Sequence, residues 1–142
     1  MSNFSKFMKA NKIQKENVMH PVTNSLVDEK GNPLLWEIKP LTTKENEHIR
    51  DLCTIDVPVK GKPNQYRPKV DMDKYQTKLM CAAIVSPDLN NKELQDSYGV
   101  VTPEDLLKEM VDNPAEYTDL MIFIQQLSGF KTLQEEVDEA KN

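Results

Sequence analysis

The second half of the chain is punctuated by helix-start signals, and they restrict the fold more than anything else in the sequence. Thr102 is followed by Pro103, and Asn113 by Pro114. In each pair a short polar side chain can accept from the free backbone amides of a first turn. The proline occupies the position where a missing N–H costs nothing. Behind the first pair stand Leu106, Leu107, Met110 and Val111. Behind the second stand Tyr117, Leu120, Met121, Ile124 and Leu127, all at helical spacing. The second helix is expected over 114–128, closed by Gly129. A shorter one is expected over 91–98, closed by Gly99.

The same grammar runs upstream. Thr42 with Glu45 three residues later fits a capping box for a helix over 43–54, with a narrow apolar stripe of Ile49, Leu52 and Cys53. Asp71 caps a helix reaching about Val85, with Met72, Tyr75, Leu79, Ala82 and Ala83 as its stripe. Its last turn, Cys81 to Val85, is apolar all round and is expected to be the most buried piece of the protein. Between these helices, residues 55–70 contain Pro58, Gly61, Pro63 and Pro68 and read as a long loop.

The N-terminal third differs. Leu34, Trp36 and Ile38 alternate with Leu35, Glu37 and Lys39, which is the period of a half-buried strand. With Val22–Val27 as a weaker first arm and 28–33 as turn chemistry around Gly31, residues 18–40 read as a hairpin. A lone hairpin is marginal in water, so helices must cover its Trp36 face. The expected fold is therefore α+β and mainly α: one N-terminal β-hairpin followed by four or five packed helices. Residues 1–16 are expected as a flexible arm with a short helix at Phe4–Ala10. Residues 17–130 form a single compact domain, and 131–142 an acidic tail, helical from Thr132.

Composition narrows the function. The 142 residues carry a net charge of -5, which repels nucleic acid overall. Lys6, Lys9, Lys12 and Lys15 make the arm locally basic, and this is read as a solvated terminus. No apolar run approaches the ~18 residues of a membrane span, and the N-terminus lacks the apolar core of a secretory signal, so the cytoplasm is expected. Cys53 and Cys81 are read as reduced core residues.

Chemistry-bearing patterns are few. The four glycines lie far apart, so no phosphate loop is built. His20, His48, Cys53 and Cys81 lack the paired spacing of a zinc site. Neither histidine stands in a nucleophile–base motif. No cofactor, metal ligand or catalytic residue is assigned. The 114–128 helix has Ile122 and Phe123 beside its main stripe, wider than one buried side needs. Either the helix is central or part of it faces a partner. Tyr117, Met121, Phe123 and Phe130 are offered as partner-facing residues.

Several segments, in order, carry a family resemblance. They are Phe7-Met8-Lys9-Ala10-Asn11-Lys12, Gly31-Asn32-Pro33 through Trp36-Glu37-Ile38, and Leu41-Thr42-Thr43. Then come Pro87-Asp88-Leu89-Asn90, Leu94-Gln95-Asp96-Ser97-Tyr98-Gly99, and the Pro114 helix running into Gly129-Phe130. Together they resemble the XkdN-like tail assembly chaperones of phages and prophage-like elements. The resemblance implies a non-enzymatic role in tail assembly, with the tape measure protein as chief partner and the tail tube protein as a further one. Self-association is left open. Two other readings stand beside it. One is a minor structural component of a tail or capsid; the other is a small regulator binding nucleic acid through the basic arm.

Overall fold

The computed structural model describes residues 3–130. Among these residues the chain forms five strands and five helices around one buried cluster. The α+β class with an N-terminal hairpin and packed helices is what the structure has. The acidic tail 131–142, with its expected helix from Thr132, lies outside the described residues.

The hairpin strands are β1 (Val18–Pro21) and β2 (Leu35–Ile38), antiparallel, with His20 opposite Trp36 and Val18 opposite Ile38. The first arm thus precedes the Val22–Val27 segment expected from sequence. That segment instead runs as a loop whose only strand-like contact is the Val27–Pro33 bridge. Asp28 organises the turn, its Oδ1 accepting from the Lys30 and Asn32 amides at 2.9 and 3.0 Å. Alternation decides the faces as expected for Trp36, 2% exposed, and for Ile38, which is wholly buried.

α1 (Thr43–Leu52) begins at the capping box: the Thr42 hydroxyl accepts from the Glu45 amide, and the Glu45 carboxylate accepts from the Thr42 amide. Ile49 and Cys53 are buried, but Leu52 turns to solvent and leaves the expected stripe.

Residues 55–70 are a second hairpin rather than a loop. β3 (Thr54–Pro58) pairs antiparallel with β4 (Tyr66–Val70). β-Branched Thr54, Ile55 and Val57 supply the propensity that the prolines and glycine masked.

α2 (Met72–Ala83) is capped by Asp71, whose Oδ1 accepts from the Lys74 amide. Its stripe is Tyr75, Leu79, Ala82 and Ala83, with Met80 fully buried, while Met72 is exposed. The helix stops at Ala83, and Ile84–Ser86 become β5, the third strand of the first sheet in the order β1-β2-β5. The expected all-round burial of Cys81–Val85 is corrected accordingly. Strand alternation buries Ile84 and exposes Val85.

α3 (Lys92–Ser97), α4 (Pro103–Met110) and α5 (Pro114–Leu127) follow, capped by Asn91, Thr102 and Asn113. α3 and α5 both end in a Schellman pair. In α5 the Gly129 amide bonds to Gln126 O, and the Phe130 amide to Gln125 O at 2.8 Å; Gly129 takes the positive φ this geometry requires. α2 sits centrally, packing on α1, α4, α5 and β5. The inner sheet face supplies Trp36, Ile38 and Ile84 to the core. The helices supply Leu79, Met80, Leu106, Leu107, Leu120 and Ile124. Each such side chain contributes about 1.5–3 kcal/mol by leaving water.

The N-terminal arm holds two short 3-10 turns, Asn3–Phe7 and Lys9–Asn11, in place of the expected helix over Phe4–Ala10. No residue of either turn is buried. A single α-helical turn with nothing to pack on lacks the tertiary support that short helices need.

Candidate partner-binding surfaces

α5 carries the residues singled out from sequence. At about 100° per residue, Leu120 and Ile124 mark the centre of its buried stripe. Tyr117 and Met121 lie on one shoulder, Phe123 and Leu127 on the other, and Ile122 points away, 38% exposed. All four candidate residues are half-buried and touch the core cluster. They do not form one patch.

The surroundings of each differ. Tyr117 places its hydroxyl 3.0 Å from Thr77 Oγ1 on α2 and floors a shallow groove with Val111, Pro114 and Thr118. Phe123 stacks on His20 of β1, ring centroids 3.7 Å apart and planes 6° from parallel. Burial pulls the His20 imidazole below its ordinary pKa. Phe130 borders a cleft of about 380 Å³ between the arm (Ile13, Lys15) and the start of α1 (Leu41, Thr43). Met121 has no polar role and simply flanks the stripe.

The wide stripe of α5 is explained by its central place. Its first turn is clamped to the loop after β1: Glu116 accepts from the Thr23 hydroxyl at 2.7 Å and from the Asn24 amide at 2.8 Å. At its far end Ser128 Oγ accepts from the Leu41 amide at 2.8 Å. Both shoulders are therefore partly covered by the body.

More apolar surface is open elsewhere. On the outer face of the first sheet Met19 and Leu35 are both 56% exposed, with Val85 nearby on β5. The arm shows Phe4, Phe7, Met8 and Ile13; Phe7 is 85% and Ile13 91% exposed. Ile13 and Met19 carry no such signal in the sequence, whereas Leu35 stands on the side opposite Trp36 as its alternation gives.

Titratable groups outside these surfaces serve structure. The Lys39 ammonium meets Glu45 at 2.5 Å and holds that carboxyl below its usual range, helped by the Thr42 contacts. Lys78 pairs with Glu104 at 2.9 Å, tying α2 to α4. Burial acts to raise the Glu104 pKa, but the Lys78 contact and the helix-start amide outweigh it, leaving it lowered. The Cys81 thiol is pushed up to about 12, chiefly by burial. Cys53 is wholly buried, and neither cysteine is in a disulfide. Among the described residues no group of three or more His, Cys, Asp or Glu stands together as a metal site, and no helix is long and apolar enough to cross a membrane.

Comparison with known proteins covers the whole of this architecture. The crystal structure of the protein YqbN superposes with a TM-score of 0.76 over 92% of this chain and 99% of that one, at 21% identity, and so shares the fold. In sequence, the phage-like element PBSX protein XkdN of Bacillus subtilis (strain 168) is 26% identical over 99% of this chain and 94% of its own length. YqbN of the same strain is 25% identical over 97% of this chain and 91% of its own length. The family model described as phage XkdN-like tail assembly chaperone protein matches residues 4–141, so the chain belongs to the XkdN-like phage tail assembly chaperones.

Proposed function

We propose that the protein is a non-enzymatic assembly chaperone that binds the tape measure protein in the host cytoplasm and yields it to the tail tube protein. The observation that carries this reading is the family match across residues 4–141. The physical case is compatible. A long helical client awaiting its tube exposes apolar surface and is prone to aggregate. A binder that shields it needs open apolar side chains of its own, and the arm and the outer sheet face supply them in Phe4, Phe7, Ile13, Met19 and Leu35. The exposed halves of Tyr117, Met121, Phe123 and Phe130 add contact area at the edges of α5 and the cleft beside α1. Release to the tube requires moderate affinity, which scattered apolar contacts give more readily than one deep pocket.

Co-expression with a candidate tape measure protein tests this. The expected result is a soluble complex of the two, with the chaperone missing from finished particles by mass spectrometry. A tape measure protein equally soluble and monodisperse alone would remove the basis of the proposal. Stoichiometric recovery of the chain in mature particles would make it a structural component instead.

A further inference from the structure

The basic arm ends, and the acidic end of the chain begins, at the same place on the molecule. Lys6, Lys9, Lys12 and Lys15 are all exposed, and residues 4–15 hold no acid, net +4. Residues 132–139 hold Glu135, Glu136, Asp138 and Glu139 and no cation, net -4. Among the described residues the ion pairs are Lys39–Glu45 and Lys78–Glu104, and neither uses an arm lysine.

The end of α5 sets that place. The Gly129 and Phe130 amides close the helix, so residues 131–142 leave from its capped end. The Lys15 ammonium lies over this point, 3.6 Å from where a Cβ on Gly129 would stand. Phe130 shares one cleft with Lys12, Ile13, Gln14 and Lys15 of the arm and with Leu41 and Thr42 before α1. The first acid of the tail, Glu135, is five residues past Phe130. A link that short holds two segments at an effective concentration on the order of mM. The other exposed basic cluster, Lys60, Lys62, Arg67 and Lys69 on the β3–β4 hairpin, follows the opposite end of α1, about 15 Å further along its axis.

The arm also offers apolar surface, with Phe4, Phe7, Met8 and Ile13 open beside the lysines. In the tail, Leu133 and Val137 stand four apart among the acids, the spacing that puts two side chains on one side of a helix. We propose that residues 132–139 fold back along the arm of their own chain. The four carboxylates lie on the four lysines, and Leu133 and Val137 lie on the open apolar side chains. Charge complementarity and the point of exit both select this occupant. The tail thus covers the arm in the free protein. This goes beyond the client-binding reading and stands without it.

Paramagnetic broadening in the full-length chain tests it. A nitroxide is placed at Ala140→Cys under native conditions, where Cys53 is enclosed and burial suppresses the Cys81 thiolate. It should broaden the amide signals of residues 4–15 well beyond those of the hairpin turn, residues 59–65. From about 50 to about 500 mM salt that excess should fall roughly fivefold or more, as screening shortens from roughly 14 to 4 Å. A neutral tail (E135Q, E136Q, D138N, E139Q) should lose it at low salt. Exchanging the charges (K6E, K9E, K12E, K15E with E135K, E136K, D138K, E139K) should restore it. Isotope-labelled chain mixed with unlabelled nitroxide-bearing chain should show no broadening, and broadening there would make a second copy the occupant. Retention of a duplex DNA probe by the wild-type chain at low salt would make nucleic acid the occupant. Either result overturns the proposal. So does equal broadening of arm and hairpin, an excess that salt or the neutral tail leaves unchanged, or a charge exchange that does not restore it.

Discussion

Glu116→Ala should loosen the fold by removing hydrogen bonds rather than apolar contacts. The Glu116 carboxylate sits in the first turn of α5 and receives two donors from the loop after β1, Thr23 Oγ1 at 2.7 Å and the Asn24 amide at 2.8 Å. Hydrogen bonds to a charged group contribute about 1.5–3 kcal/mol each when desolvated. The two here are not equal. Thr23 is buried but keeps Ser25 as a partner at 2.8 Å, so its hydroxyl is not orphaned by the change. Asn24 is exposed and its amide regains water. An acid in the first turn also interacts with the helix dipole, for about 0.3–1 kcal/mol. Together the loss is about 2–3 kcal/mol, or a fall in Tm of roughly 5–10 °C for a chain of this length. Urea unfolding followed by circular dichroism measures the loss, and hydrogen exchange at the Asn24 amide should rise in parallel. A double-mutant cycle with Thr23→Val isolates the shared bond. A cost below about 0.5 kcal/mol, or no coupling in the cycle, would mean that the loop is held by packing of Val22 alone and that the clamp has no energetic role.

Ile124→Ala removes a side chain buried at the centre of α5 and should cost about 2–5 kcal/mol in urea unfolding; Ile122→Ala, on the exposed side, should cost under about 1 kcal/mol. Cys81 should resist thiol reagents at pH 8 in the native protein and react on unfolding, because burial pushes its thiol up to about 12; rapid native labelling counters this. Stability should be level above pH about 6.5 and fall below it as His20 gains its proton, since its folded pKa lies under the unfolded value and the charged form favours unfolding. His20→Phe, which keeps a ring against Phe123, should flatten that part of the pH profile; an unchanged slope would assign it to other groups.

Some of this molecule is written locally. The caps at Thr42, Asp71, Asn91, Thr102 and Asn113 each rest on one side chain and an amide two or three residues ahead. A contact of such short range can be recognised in the sequence, and the helix starts follow from it. Trp36 and Ile38 were legible for a similar reason: period two is a property of a single strand. The position of Tyr117, Met121 and Phe123 on α5 also follows from helical spacing, but spacing does not say what covers a helix's shoulders. Thr23, Asn24, His20 and Leu41 reach α5 from about 90 to 100 residues away in sequence and decide that.

Beyond the first hairpin, strand pairing belonged to the tertiary structure alone. Ile84–Ser86 continue an apolar helical pattern, and they leave the helix because β2, more than 45 residues earlier, offers its free edge to their backbone. The β3–β4 hairpin hid behind three prolines, two of which stand at edge positions where a missing amide breaks no ladder bond. A helix satisfies its backbone from within, so its residues announce it. A strand satisfies its backbone from a neighbour, and the identity of that neighbour is set only when the whole chain has packed.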